Sequence, residues 1–195
     1  SGGLPGGWSI QTQRGKAWEI ISPVAGDDRL DNFTGGNGEF AIVDNNYTYR
    51  TLTSLQTPIL DLSGYTGAVL SFNSCFAMDY WETINIDAST DAGQTWSNIW
   101  TRSGFQACPS HYSLDLSALA GSATVMLRWR FDSNGYDKIG NLWQVDNPRL
   151  EGLGGGSGSG NPPGVAGNPT PTNGSTGIDI NQDLAWAAAV DADSH

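Results

Sequence analysis

Two stretches of this chain alternate apolar and polar residues with a period of two. In 124–131, Val125, Leu127, Trp129 and Phe131 are large and apolar, while Arg128 and Arg130 occupy the intervening places. In 82–89, Ile84 and Ile86 alternate with polar neighbours. Successive side chains of a strand point to opposite faces, so this pattern marks strands with one buried and one wet face. Further strand-like runs fall at 7–12, 17–21, 39–44, 52–59, 67–76, 95–101, 110–115 and 142–150. No segment holds a 3.6-residue period with caps over three turns. Many short strands with no helices between them predict an all-β antiparallel sandwich.

An internal echo accompanies the pattern. Leu60-Asp61-Leu62-Ser63 precedes one predicted strand, and Leu114-Asp115-Leu116-Ser117 precedes another. Asp and Ser cap a single turn, and a glycine follows at position 67 or 121 to release the chain. The similarity predicts two matched edges of the sandwich rather than a repeat protein.

Composition changes abruptly at Gly152. Residues 1–152 read as the sandwich, 153–174 as a Gly/Ser/Pro-rich linker, and 175–195 as an incomplete second β module or a pairing strand. About twenty residues are too few to bury a core alone. No signal peptide opens the sequence, so the expectation is a mature chain or a fragment of a larger secreted protein.

The formal charge is −11, with nine Lys and Arg. That balance argues against nucleic acid and against an anionic membrane surface, both of which need clustered cations. No apolar run approaches a membrane span, so no membrane insertion is expected. Sixteen of the twenty acids are aspartate, which favours turns and loops, and oxygen-rich loops are where calcium binds. The plainer reading is a solubilising surface. The two cysteines, Cys75 and Cys108, fit one disulfide in an oxidising compartment or two buried thiols. The disulfide is the expectation, because strands 67–76 and 105–115 would lie close at one end.

The sharpest local motif is Ser89-Thr90-Asp91-Ala92-Gly93-Gln94-Thr95-Trp96, which resembles the Asp-box hairpin of sialidases. Asp91 would accept turn amides, Gly93 would take positive φ, and Trp96 would plug the hairpin base. There is one copy and no arginine cluster to hold a substrate carboxylate, so the motif reads as structural. Enzymatic constellations are incomplete. His111 and His195 are the two histidines, and no G-x-S-x-G, H-E-x-x-H or C-x-x-C occurs. No catalytic residue is assigned. A glycoside-active enzyme, the second reading, would rest on Asp79 or Glu82. Tyr80 and Trp81 on one loop, with Tyr136 on another, are the candidate ligand-binding residues, because exposed aromatics stack on sugar rings.

Five pieces in order carry a wider resemblance: Leu4-Pro5-Gly6-Gly7-Trp8; Phe33-Thr34-Gly35-Gly36-Asn37-Gly38-Glu39-Phe40-Ala41; Leu55-Gln56-Thr57-Pro58-Ile59-Leu60-Asp61-Leu62; Ala68-Val69-Leu70-Ser71-Phe72; and Trp143-Gln144-Val145-Asp146-Asn147-Pro148. Over about residues 4–151 the chain resembles the MAM-like and cleaved-adhesin jelly-roll modules of bacterial secreted proteins. The tail at 170–186 is similar to the first strands of fibronectin-type or Ig-like modules. The resemblance implies a jelly-roll β-sandwich, often with structural calcium, and makes Asp31, Asp44 and Asp146 the candidate metal ligands. The alternative is that these aspartates cap turns. Gln11–Lys16 departs from the family, where an Asp/Gly-rich stretch is common.

The sequence reading is therefore a secreted, non-catalytic binding or adhesion module for an extracellular glycan or protein, stabilised by calcium. A third reading is a structural filament subunit whose C-terminal strand exchanges with a neighbouring subunit.

Overall fold

The computed structural model describes residues 3–45, 50–77, 82–104, 106–133 and 141–154. Among them are ten strands: β1 (Ser9–Arg14), β2 (Glu19–Ile21), β3 (Phe40–Asp44), β4 (Leu52–Gln56), β5 (Gly67–Ala77), β6 (Thr83–Ser89), β7 (Ser97–Ser103), β8 (Ser110–Asp115), β9 (Met126–Asp132) and β10 (Leu142–Leu153). They form two five-stranded antiparallel sheets, ordered β1-β4-β9-β6-β7 and β2-β3-β10-β5-β8. The fold is a jelly-roll β-sandwich, as the alternation of the sequence predicts.

Register explains how the period-two pattern becomes a core. Ile10, Leu55, Trp129, Ile86 and Trp100 are successive cross-strand partners and form one row across the first sheet. Leu55, Trp129 and Ile86 are fully buried, and Ile10 and Trp100 pack against the core from the two edge strands. Trp129 is the middle of the row. It stacks on Trp8 at 5.6 Å and meets Phe72 of the opposite sheet edge-on at 5.8 Å. Phe72 also contacts Trp100 and Tyr112, which close one side of the sandwich. Trp18, Phe76 and Trp143 form a second aromatic group. Burying one such aromatic side chain removes roughly 150–250 Å² from water, so this row accounts for much of the inter-sheet attachment.

The echoed segments have a different role from the one the sequence suggests. They lead into β5 and β9, which are interior strands of the two sheets rather than edges. The segments also meet each other. Leu62 N donates to the Ser122 carbonyl at 2.8 Å, Gly121 N donates to the Leu62 carbonyl at 2.9 Å, and Leu60 bridges Val125. In both, the aspartate accepts a serine amide two residues on: Asp61 from Ser63 and Asp115 from Ser117. Only the second copy forms a short 3₁₀ turn, Ser117–Leu119. The repeated sequence thus knits the two sheets at one end, where a crossing chain needs its backbone groups satisfied.

Cys75 and Cys108 form a disulfide that joins β5 to the segment entering β8. The pairing follows from register, since β5 and β8 are neighbours through Ser74↔Ser110. No helix of the described residues is long and apolar enough to cross a membrane.

Candidate functional site

The outward positions of the first sheet also fall into rows. One consists of Ser9, Gln56, Arg128, Asp87 and Asn98; the next is Gln11, Ser54, Arg130, Asn85 and Thr101. Each position is polar, and several are buried although no second layer of strands covers them. Asp87 is 1% exposed, Asn85 4% and Ser54 5%. Their cover is the side chains of their own neighbours, above all the two arginines.

Asp87 organises this face. Arg128 Nε donates to Asp87 Oδ2 at 2.8 Å, Arg130 Nε to the same oxygen at 2.6 Å, and Arg130 Nη2 to Oδ1 at 3.1 Å. Asn98 Nδ2 donates to Oδ1 at 2.9 Å. Burial pushes the Asp87 carboxyl up, but the bonds from Arg130, Asn98 and Arg128 together outweigh it and hold the group below its ordinary value. Beside it, Asn85 Oδ1 accepts from Thr101 Oγ1 at 2.8 Å, and Asn85 Nδ2 donates to the Arg130 carbonyl at 3.3 Å. The face is a hydrogen-bonded lattice, and such a lattice is rigid when its members are satisfied.

A groove of about 350 Å³ lies along one side of this lattice. It is lined by Gln11, Gln13, Ser54, Gln56, Trp96 and Arg128, with Thr12 and Gly93 completing it. The Asp-box motif builds its rim. Asp91 accepts Thr95 N at 2.8 Å, Thr95 Oγ1 at 2.6 Å and Ser89 Oγ at 2.7 Å. These bonds, led by the Thr95 hydroxyl, hold its carboxyl down to about 2. Gly93 takes φ of 85°, and Trp96 Nε1 donates to its carbonyl at 2.9 Å. The motif is structural, and its result is a fixed, half-buried indole against which the Arg128 guanidinium stacks at 4.3 Å.

The outer face of the second sheet is covered in part, while His111, Ser113, Asp115 and Arg149 stay exposed on β8 and the second half of β10. The loop between β2 and β3 folds over it and is pinned by Gln144, whose Oε1 accepts Phe33 N at 2.9 Å. Its Nε2 donates to the carbonyls of Arg29 at 3.1 Å and Asp31 at 2.9 Å. Two residues along β10, Asp146 is buried among neutral partners: Asn32 Nδ2 at 2.9 Å, Thr34 Oγ1 at 3.2 Å and Asn147 N at 2.7 Å. Burial raises its carboxyl above the ordinary value, only partly offset by these bonds. The loop packs tightly enough that a Cβ on Gly36 would meet Asp146 Oδ2 at 2.0 Å.

Of the three candidate metal ligands, Asp31 and Asp146 lie in this one loop-and-strand cluster. Asp31 Oδ2 accepts Gly26 N at 3.2 Å and its Oδ1 accepts Asn32 N at 2.9 Å. Asp44 is joined to the same loop through Arg29, whose Nε donates to Asp44 Oδ2 at 3.0 Å and whose Nη2 pairs with Oδ1. Among the described residues, no three acidic, His or Cys side chains converge as a metal cage would require. Asp146 is a buried carboxylate of the kind a hard cation takes, with the side-chain oxygens of Asn32 and Thr34 on neighbouring residues, while the groups that bond it here are the donors Asn32 Nδ2, Thr34 Oγ1 and Asn147 N. Tyr80, Trp81, Tyr136 and Asp79 lie outside the described residues, as does the segment 175–195. Glu82 is buried, and Asn141 Nδ2 donates to its Oε1 at 2.6 Å.

Sequence reasoning missed the groove. The signal was present as polar residues two apart on four strands: Gln11 and Gln13, Ser54 and Gln56, Asn85 and Asp87, Arg128 and Arg130. Each pair marks a wet strand face by itself. Only the sheet order places them side by side.

No protein-family model matches the chain, and no curated protein matches it. Solved structures do. The structure of TmCBM61 in complex with β-1,4-galactotriose aligns with a TM-score of 0.53 at 9% identity, over 77% of this chain and 91% of that one. The chains share a fold. The K1 cleaved adhesin domain of Lys-gingipain from Porphyromonas gingivalis W83 aligns at 0.44 and 18% identity, over 76% of this chain and 100% of that one. The family 11 carbohydrate-binding module from Clostridium thermocellum, in complex with a β-1,3-1,4-mixed-linked tetrasaccharide, aligns at 0.44 and 12%, over 75% and 89%.

The lattice predicts a specific acid response. Asp87 has a lower pKa folded than unfolded, so its contribution is complete above the ordinary carboxylate range and is lost as pH falls through the lowered value. Asp87→Asn should cost about 2–4 kcal/mol at neutral pH, because it strips the shared anion from two arginines that still reach water. Urea unfolding of both proteins at several pH values should show the gap closing in acid. A gap independent of pH would contradict the ion network.

Proposed function

We propose that this module binds an extended carbohydrate chain, without cleaving it, along the groove on the first sheet. The observation that carries the reading is the lining itself: glutamines, a serine, an indole and an arginine, set on rigid strands over a satisfied polar lattice. Sugar hydroxyls both donate and accept, and side-chain amides answer both roles. Strands hold those amides in place before the ligand arrives, which lowers the ordering cost of binding. The first sheet presents an open polar face for an elongated ligand, whereas the loop between β2 and β3 covers part of the second. That the TmCBM61 structure with this fold holds a galactotriose supports the choice of ligand class. Among the described residues the lining contains no pair of carboxylates, which glycoside hydrolysis would need. The disulfide suits an oxidising, extracellular setting.

A glycan panel and a broad hydrolase panel, run on the same protein, test this reading. Retention of at least one oligosaccharide is expected, weakened by Gln56→Ala and by Trp96→Ala, with no turnover. Turnover abolished by Glu82→Gln would overturn it. So would glycan binding unaffected by both groove substitutions.

We also propose structural calcium at Asp146, with oxygens from Asn32, Thr34 and the Asp31 loop. Ionised Asp146 is disfavoured by burial, so its penalty appears as pH rises above the ordinary 3.8 and is complete once pH passes the raised folded value. A bound cation would remove that penalty and tie β10 to the loop over it. The melting temperature should therefore rise with free calcium and fall with chelator. Asp146→Asn should abolish the calcium response while melting no lower than the chelated parent. Curves that superimpose with and without calcium would contradict the site.

A further inference from the structure

We infer that the groove selects an acidic carbohydrate, one whose sugars carry carboxylates, and that Arg128 is the residue that selects it. The inference rests on the glycan reading above and specifies the ligand class. Three observations lead to it.

First, Arg128 is held by its inner end. Its Nε is committed to Asp87 at 2.8 Å and its guanidinium plane lies on Trp96 at 4.3 Å. Among the described residues its two terminal nitrogens have no hydrogen-bonding partner, while the side chain remains 20% exposed along the groove. A guanidinium fixed in orientation with its Nη edge unpaired presents the fork that a carboxylate accepts in two parallel bonds.

Second, the charge balance of the groove differs from that of the chain. The molecule carries −11 overall, yet among the described residues Arg128 is the one charged residue in the lining, and neither Asp nor Glu occurs there. Beneath the lining, Asp87 is shared between Arg128 and Arg130, and Arg130 also reaches Asp132 at 3.8 Å. Arg128 is therefore the charge that a ligand in the groove meets at contact distance, where screening is weakest.

Third, the stacking geometry disfavours a purely neutral platform. Modules that hold neutral sugars by apolar contact need an exposed aromatic face, and here one face of Trp96 is taken by the arginine. The remaining lining supplies hydrogen bonds for hydroxyls. Together these suit a polyuronate: hydroxyls to Gln11, Gln13, Ser54 and Gln56, and a carboxylate to Arg128.

The test compares one backbone in two charge states. Galacturonan oligosaccharides and their fully methyl-esterified forms differ only at the carboxyl group. Titration calorimetry at fixed ionic strength should show the acid form binding on the order of tenfold tighter. Arg128→Gln should erase that preference, so that the acid and ester forms bind alike at whatever affinity the variant retains, and Arg128→Lys should fall between. Added sodium chloride should weaken the acid form and leave the ester unchanged in the unsubstituted protein, which tests the inference even where a variant folds poorly. Equal or tighter binding of the ester, or of neutral galactan oligosaccharides, would overturn the acidic preference while the glycan reading stands. A preference for the acid that persists in Arg128→Gln would overturn the role of Arg128. Binding of neither class would overturn both.

Discussion

The polar face of the first sheet depends on one buried carboxylate. Asp87 lies 1% exposed on a sheet surface that has no covering layer. A lone buried anion costs several kcal/mol, so the face is stable only because Arg128, Arg130 and Asn98 converge on it. Those three residues come from β9 and β7, and Asp87 from β6. The charge network therefore fixes side chains across three strands. Arg128 in turn braces Trp96, and the groove wall follows from that contact. The inner face of the same strands is held by a different force, the burial of Trp129 and its row. One five-stranded sheet thus yields a dry side that provides stability and a wet side that provides a preorganised surface.

This division explains how the two halves of the chain's chemistry coexist. The second sheet gives up part of its outer face to the loop between β2 and β3, where Gln144 and Asp146 satisfy the loop's polar groups. The first sheet keeps its outer face open. The Asp-box hairpin between β6 and β7 places its tryptophan at the rim of that open face, so a motif that is structural in itself determines where an aromatic meets the groove.

Much of the fold was legible in the sequence. Period-two alternation located every strand of the described residues to within a few positions, because one buried face imposes that period directly. The disulfide between Cys75 and Cys108 was expected from the sequence and forms, across the adjacency of β5 and β8. The echo at 60–67 and 114–121 was visible, but its consequence was not: the copies pair with each other and enter interior strands, which only topology decides. The site was least legible. Exposed aromatics drew attention to Tyr80, Trp81 and Tyr136, which lie outside the described residues, whereas the groove is assembled from residues more than a hundred positions apart. Gln11 and Gln13 stand where the resembled family carries acids, and they line the groove. The departure from the family pattern was itself a cue.

The most direct measurement is a map of where an oligosaccharide touches the protein. Amide and side-chain spectra recorded during titration with galactose- and galacturonate-based oligosaccharides, added one at a time, provide that map. If the groove is the site, the largest changes fall on the side-chain amides of Gln11, Gln13 and Gln56, the Trp96 indole and the Arg128 guanidinium, with β2, β3 and β10 unmoved. Changes concentrated on the loop over the second sheet, or absent throughout, would contradict it.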